Sequence, residues 1–235
     1  MNSTKKTVLL KITGEILPHT DQGLDGTLLR TIASQLKELS TDYQFGIVMG
    51  AGNFFRGAHP GKDLPISANV SHSVGMLATL MNGLIIQDIF ELYDIKTHLF
   101  TATQNETIGD RISPQALRKA AQEKDCLIFA GGSGNPYFTT DTTAVLRALQ
   151  IGACEVWKGT NVEGVYSSDP HKNKDAHLLT QVCYEDAIRN RYAVMDLSAF
   201  TLAEQHKMPL RIFNVFKENA LLYASKNPSY GSRIS

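Results

Sequence analysis

The stretch CLIFAGGSGNPYFTTDTTAVLRALQIGACEVWK, residues 126–158, contains one complete unit of the fold that the sequence predicts. Its first six residues are a short, mostly apolar run, which is typical of a buried strand. TTAVLRALQIGA (142–153) has the apolar spacing of a helix that ends at Gly152, and CEVWK (154–158) is again strand-like. A strand, a helix and a further strand in this order favour a parallel βαβ unit.

The same alternation continues along the rest of the chain. Further strands are predicted at 7–12, 45–50, 96–102 and 210–213. Further helices are predicted at 27–39, 70–93, 113–124, 196–207 and 216–225, with a turn or hairpin at 161–170 and a tail at 230–235. The chain has no internal repeat and no Pro/Ser-rich linker, so residues 1–235 are expected to form a single domain. The alternation predicts an α/β fold with three layers (α/β/α) and a mostly parallel central sheet.

Charge and hydropathy argue against several classes of protein. The chain has 23 Lys plus Arg against 23 Asp plus Glu, which gives no sign of the basic surface that binds nucleic acid. No segment approaches the ~20 apolar residues of a membrane span. The N-terminus lacks the apolar core of a signal peptide, so a cytoplasmic location is expected. The three cysteines lack metal-ligand spacing and are expected to be buried thiols.

Three glycine-bearing loops follow predicted strands, at 13–14, 50–57 and 131–141. The carboxyl ends of parallel strands meet at one sheet edge, where ligands of such folds bind. Residues 132–141 combine glycines and hydroxyls without any Lys, Arg or His, so their backbone N–H and hydroxyl groups suit an anion. Neither GxxxxGK[ST] nor GxGxxG occurs. A purely structural interpretation stays open, in which the glycines only make turns and Thr-Thr-Asp only caps a helix.

Positive charge for an anion is expected from Lys11 and Arg56, and Asp141 is expected to orient a cation. Lys11 is informative because it interrupts an apolar strand, where an unpaired ammonium is costly to bury. Its side chain therefore either faces a bound anion or extends outward to solvent.

Several motifs together resemble the amino acid kinase family and, within it, the branch of bacterial uridylate kinases. They are LLKITGE (9–15), GAGNFFRG (50–57), GMLATLMNG (75–83), GNPYFTTD (134–141), TNVEGVYSSDP (160–170) and VMDLSAFTLA (194–203). They span nearly the whole chain, and GNPYFTTD with GMLAT is specific to the uridylate-kinase branch.

The resemblance implies transfer of the γ-phosphoryl group of ATP to UMP, giving UDP and ADP in pyrimidine nucleotide biosynthesis. It also implies a homohexamer, and Mg²⁺ held mainly by phosphate oxygens and water. By motif match, the catalytic residues are Lys11, Arg56, Asp141 and Lys158. The ATP side comprises Lys11, Ile12, Thr13, Gly14, Gly52, Arg56, Thr160, Tyr166 and Asp169. The UMP side comprises Ala51, His72, Ser133, Gly134, Asn135, Pro136, Tyr137, Phe138, Thr139 and Thr140.

This chemistry needs no general base, because the second pKa of a phosphate monoester is about 6 and the acceptor is mostly a dianion at pH 7. Catalysis then consists of bringing two anions together and stabilising the transferred group. Lys11 would bridge the phosphates, Lys158 would add a second positive charge, and Asp141 would hold a lysine in place.

Two departures from the family pattern concern the acceptor. His72 stands where the family usually has Asp, and a neutral histidine accepts from one ribose hydroxyl where a carboxylate accepts from both. Weaker or rearranged ribose recognition is expected, the alternative being a solvent-facing histidine at a helix start. Ala51 replaces a loop glycine and narrows the space for a phosphate.

Two other functions stay open at the level of the sequence. One is a kinase of the same fold that forms an acyl phosphate from an amino acid or carbamate, against which GNPYFTTD argues. The other is a non-catalytic assembly that stores nucleotide or oxyanion, which would not require Lys11, Asp141 and Lys158 together.

Overall fold

The computed structural model describes residues 5–55, 64–105, 107–123, 125–168 and 173–235. The helices are α1 (Thr27–Leu39), α2 (Ala68–Leu92), α3 (Pro114–Glu123), α4 (Thr140–Gln150), α5 (Tyr184–Arg189), α6 (Leu197–Gln205) and α7 (Ala220–Lys226). The strands are β1 (Lys6–Ile12), β2 (His19–Thr20), β3 (Gly23–Leu24), β4 (Tyr43–Met49), β5 (Thr97–Thr101), β6 (Asp110–Arg111), β7 (Cys126–Ala130), β8 (Glu155–Thr160), β9 (Val165–Tyr166), β10 (Leu178–Leu179), β11 (Gln181–Val182), β12 (Leu210–Asn214) and β13 (Ser232–Ile234).

Nine of these strands form the central sheet, in the order β11-β13-β12-β8-β1-β4-β7-β5-β6. Every neighbouring pair is parallel except β12 and β13. Strands β2 and β3 form one small antiparallel pair, and β9 and β10 form another. Strand β9 lies within the turn or hairpin predicted at 161–170, whereas its partner β10 lies beyond it. The predicted α/β fold with a mostly parallel sheet is confirmed.

Helices cover both faces of the sheet, as the buried strands require. Val8 and Leu10 of β1 belong to a core that includes side chains of α1, α2 and α7. Leu9 belongs to the opposite core, which includes side chains of α3, α4, α5 and α6. Because side chains alternate along a strand, Lys11 shares the face of Leu9 and points towards the second helical layer. The three-layer arrangement is confirmed.

The structure corrects some local predictions. The predicted tail contains β13, which pairs with β12 after a turn at Gly231 (φ 77°). Helix α5 has only six residues and was too short to be recognised from its spacing. Cys126 is buried as expected, whereas Cys154 and Cys183 are exposed, so the prediction of buried thiols is wrong for two of the three.

Helix α2 also differs from the sequence-based expectation. Its 25 residues are long and apolar enough to cross a membrane by length and composition. The helix packs against β5 and β7, and Leu80, Ile86 and Phe90 are buried in the first core. Part of its apolar composition therefore belongs to the core of the protein.

A buried ion pair joins β8 and β12 of the central sheet. Nε and Nη2 of Arg211 on β12 donate to the two carboxylate oxygens of Glu155 on β8, each at 3.2 Å. Nη1 donates to the carbonyls of Ala224 and Asn227, at 3.2 and 2.9 Å, at the end of α7. One guanidinium thus joins two strands and the last helix.

Arg211→Met should lower the free energy of unfolding by up to about 3–5 kcal/mol, because the largely buried Glu155 would lose its bidentate partner. It would keep only the Trp157 N–H and a 3.8 Å pair with the half-exposed Arg233. Urea unfolding would measure the loss. Lys5→Met, which removes the exposed pair with Asp125, is the matched control and should cost less than ~1 kcal/mol. Equal losses in the two variants would contradict the role given to Arg211.

Candidate active site

The loops after β1, β4 and β7 meet at the carboxyl edge of the sheet and line a cavity of about 340 Å³, here called the smaller cavity. Nine of the predicted site residues line it: Lys11, Thr13, Gly14, Ala51, Gly52, His72, Phe138, Thr139 and Thr140. The side chain of His72 is half-buried. This placement favours a cavity residue over a purely solvent-facing histidine.

A larger cavity of about 790 Å³ lies at the end of β8 and in the loops that follow. Three predicted residues line it, Lys158, Thr160 and Tyr166. Its far wall is residues 190–194, which the sequence did not assign to the site. The one sequence feature that could have indicated these residues is their position, because the segment leads into the motif that begins at Val194.

A buried charge triad of Lys11, Asp141 and Lys158 lies where the two cavities approach each other. Lys11 and Lys158 are register partners on the adjacent strands β1 and β8, and Asp141 is in the first turn of α4. Lys11 Nζ lies 2.8 Å from Oδ1 of Asp141, and Lys158 Nζ donates to Oδ2 at 2.7 Å. Both lysines are only 8% exposed, and Lys158 also donates to the carbonyl of Val194. Each cavity therefore contains one lysine of the triad.

The triad carries one excess positive charge at neutral pH. Burial alone would raise the pKa of Asp141, but the charges and hydrogen bonds of Lys11 and Lys158 lower it to about 2. Burial lowers the pKa of Lys158 to about 8, assisted by Lys11 and opposed by Asp141. Two ammonium groups then face one carboxylate at pH 7. Because a buried excess charge is costly, the site suits an anionic ligand.

The glycine loops are held close together by backbone packing and side-chain hydrogen bonds. A Cβ on Gly14 would lie 2.6 Å from the Gly52 nitrogen and 2.7 Å from the Gly50 oxygen, so a side chain there would separate the loops. Asn82 of α2 is fully buried and donates to the Gly50 carbonyl at 2.9 Å. Its amide also exchanges two 2.9 Å hydrogen bonds with Asn53.

Helix α4 begins at the smaller cavity. The Thr139 hydroxyl accepts from the Asp141 N–H at 3.0 Å as an N-cap, and it donates to Asp196, the N-cap of α6. This arrangement leaves the N-terminal end of α4, with its partial positive charge, at the cavity. Thr139 therefore caps α4, as the structural interpretation of Thr-Thr-Asp expected. Thr139 and Thr140 also line the smaller cavity.

Other predicted residues are not brought to a cavity. Ile12 is fully buried in the first core, although its carbonyl accepts from the Gly50 N–H at 2.9 Å. The Ser133 hydroxyl and the Asn135 backbone bond to each other in a local turn. Tyr137 is 66% exposed, in a left-handed conformation (φ 71°) with its ring 5.1 Å from that of His72. The predicted site residues that the structure describes and that line neither cavity are Ile12, Ser133, Gly134, Asn135, Pro136, Tyr137 and Asp141. Arg56 and Asp169 lie outside the described residues.

No dedicated metal cage is formed by the part of the chain that the structure describes, since it contains no group of three His, Cys, Asp or Glu side chains placed around an ion. The carboxylate at the centre of the site, Asp141, has one lysine at each oxygen. The donor set therefore fits lysine ammonium groups and anions better than a protein-held cation.

Asp141→Asn should lower the free energy of unfolding at pH 7 by about 3–5 kcal/mol, because two buried ammonium groups would lose their counter-charge. The loss should shrink as the pH rises from 7 to 10. Burial already lowers the pKa of Lys158 to about 8, and without Asp141 this pKa would fall further in the folded variant. The unfolded state would therefore bind more protons across that range.

In the acid range the difference between the two proteins also narrows, this time because the wild type loses stability. Wild type should lose the contribution of Asp141 as the pH falls from 3.8 towards about 2, whereas the variant has none to lose. Chemical unfolding across the pH range measures both effects. Asp125→Asn, at an exposed pair, is the control. If the stability of Asp141→Asn paralleled that of wild type at every pH, the role given to the Asp141 carboxylate would be wrong.

Comparison with known proteins agrees with this geometry. Residues 6–214 match the model of the amino acid kinase family. The chain is 42% identical over 231 residues to a uridylate kinase of Haemophilus influenzae, covering 97% of both proteins, and 41% identical to one of Mannheimia succiniciproducens, covering 98% of both. The UMP kinase structure from Ureaplasma parvum has a TM-score of 0.92 at 31% identity, covering 99% of both chains. The chain therefore belongs to the uridylate kinases of the amino acid kinase family.

Proposed function

We propose that this protein transfers the γ-phosphoryl group of ATP to UMP, giving UDP and ADP. The observation that carries the proposal is the position of the charge triad, with one lysine in each of two neighbouring cavities. A donor and an acceptor nucleotide in separate cavities would place their phosphates at the triad. The sequence relatives and solved structures, which are themselves named uridylate or UMP kinases, support the same reaction.

The larger cavity takes the nucleoside of ATP in this proposal. It contains Thr160 and Tyr166, and its volume of about 790 Å³ is within the usual range for small-molecule sites. The ATP phosphates then extend past Lys158 towards Lys11, Gly14 and Gly52. Ile12 contributes to this side only through its backbone, which holds the second loop in place.

UMP occupies the smaller cavity, between the second loop and the N-terminus of α4. The half-buried His72 and the hydroxyls of Thr139 and Thr140 line this space. The residues from Ser133 to Tyr137 lie beside it in the same loop and would contact UMP after a local rearrangement. Arg56 and Asp169 keep their predicted roles as part of the proposal.

The reaction requires positioning and charge stabilisation rather than proton abstraction. UMP is mostly a dianion at pH 7, so its phosphate oxygen can attack without a general base. Lys11 binds the phosphoryl group in transit, Lys158 holds the donor phosphates, and Asp141 fixes both ammonium groups. Magnesium would enter with the ATP phosphates, where it neutralises charge.

An apolar stripe on α2 supports the proposed homohexamer. Val70, Leu77, Met81 and Leu84 are 43–58% exposed and share one face of the helix by their spacing of seven, four and three. Such a stripe is typical of a surface that a second copy covers.

We place the enzyme in the cytoplasm, acting in pyrimidine nucleotide biosynthesis, with residues 1–235 as a single amino acid kinase domain.

The two alternative functions differ from this proposal in what they would phosphorylate. An acyl-phosphate kinase would use aspartate or carbamate, and a storage assembly would bind nucleotide without turnover. A coupled assay for ADP release with UMP, CMP and aspartate as acceptors separates the three. Turnover with UMP alone is expected, and nucleotide binding without turnover would overturn the proposal.

Lys11→Ala should lower kcat with UMP by at least ~10², the typical loss when a donor to the transition state is removed. Circular dichroism should show an intact fold. Lys6→Ala is the matched control, since Lys6 is exposed on the same strand and should keep wild-type kcat. Full activity of Lys11→Ala would exclude the role given to this ammonium.

His72 should weaken discrimination between UMP and dUMP. Loss of one neutral hydrogen bond lowers affinity by roughly tenfold or less, whereas a hydrogen bond to a carboxylate has a larger effect. The ratio of kcat/KM for UMP over dUMP should therefore stay below ~10 in wild type and rise in His72→Asp. A wild-type ratio above ~100, unchanged in His72→Asp, would show that the ribose is recognised elsewhere.

A further inference from the structure

Arg147 is a buried cation that the proposed reaction has not used. It lies in the last turn of α4 and is 4% exposed. No carboxylate among the described residues forms an ion pair with it, whereas Arg211 pairs with Glu155 and both triad lysines share Asp141. Burial lowers the pKa of Arg147 to about 10, which still leaves it charged at pH 7. An uncompensated guanidinium is costly to bury and requires an explanation.

The hydrogen bonds of Arg147 connect it to the loop after β7. Its Nη2 donates to the Gly132 carbonyl at 3.4 Å, its Nη1 donates to Gln150 at 2.7 Å, and its Nε is buried without a hydrogen-bond partner. The spacing of seven from Thr140 to Arg147 is two helical turns, so both residues lie on one face of α4. Thr140 lines the smaller cavity at the other end of that face.

The Gly132 loop is held from both helical layers. On the α2 side, Thr79 accepts from the Gly131 N–H at 2.9 Å. On the α4 side, Arg147 holds the next carbonyl along the chain. Gly131 and Gly132 are both left-handed, with φ of 79° and 61°, a conformation that other residues adopt at a cost. Gly132 itself lines the smaller cavity, so any rotation of this peptide would change the cavity wall.

We propose that Arg147 is a positioning residue for the acceptor, which fixes the Gly132–Ser133 peptide and places a positive charge behind the loop that binds UMP. In a trans peptide the N–H points opposite to the carbonyl, so holding the Gly132 carbonyl directs the Ser133 N–H away from α4. The unpaired charge then favours an anion on the far side of the loop. This inference rests on the proposed function, because it takes UMP as the anion.

The test compares UMP and ATP affinities in Arg147→Met by calorimetry. Methionine fills similar space without charge or hydrogen bonds. We expect UMP binding to weaken by at least ~10-fold, the effect expected if the Ser133 N–H no longer donates to the charged phosphate. ATP binding should stay within ~2-fold of wild type. Gln150→Met removes the side chain that accepts from Arg147 Nη1 and should leave UMP affinity unchanged. The melting temperature of Arg147→Met should equal or exceed that of wild type, since an unpaired buried charge is removed.

Unchanged UMP affinity in Arg147→Met would overturn the inference, as would a parallel fall in UMP affinity, ATP affinity and melting temperature. If Arg147→Met does not fold, Arg147→Lys, which keeps the charge without the guanidinium geometry, is judged by the same criterion of a selective loss for UMP. Turnover of the wild type decides the proposed function separately. A wild type that binds UMP without phosphorylating it overturns that function and leaves the Arg147 comparison decisive.

Discussion

The attachment of two ammonium groups to one buried carboxylate is the constraint on which the site depends. Asp141 binds Lys11 through one oxygen and Lys158 through the other, and none of the three can move without leaving a buried charge unpaired. The strand register that aligns the lysines and the start of α4 that presents the carboxylate are therefore fixed together. The excess positive charge is then held at one point of the sheet edge, between the two cavities.

Helix α2 connects this edge to the rest of the molecule. Through Asn82 it holds the loop after β4, and through Thr79 it holds the loop after β7. Its opposite face carries the apolar stripe that we assign to a second copy. A rigid helix with loops on one face and a subunit contact on the other would transmit a change at either place to the other. In the proposed assembly, the acceptor site and the subunit contact are thus physically joined.

Local pattern was sufficient to predict the six longest helices and the longer strands of the sheet, because alternating short apolar runs and helical spacings occur throughout the chain. The burial of Lys11 followed from a single lysine within a strand, and its partner Asp141 from a carboxylate in an otherwise neutral loop. The adjacency of Lys11 and Lys158 could not be read in this way, since it arises from strands β1 and β8, far apart in the chain. The wall at residues 190–194, the strand β13 and the exposure of Cys154 likewise depend on tertiary placement.

The positive charges near the proposed acceptor site make the unliganded protein less stable than it would be without them. The triad has one ammonium more than its carboxylate can neutralise, and Arg147 adds a second uncompensated charge behind the loop. Burying them destabilises the unliganded chain, but these charges are already oriented when two polyanions arrive, so little reorganisation is needed. Negative charge on the bound phosphates offsets the free energy lost in burying these cations. Substrates should therefore bind the folded state and stabilise it. Because the cations are fixed while charge moves between the phosphates, they can favour the phosphoryl group in transit over either nucleotide at rest.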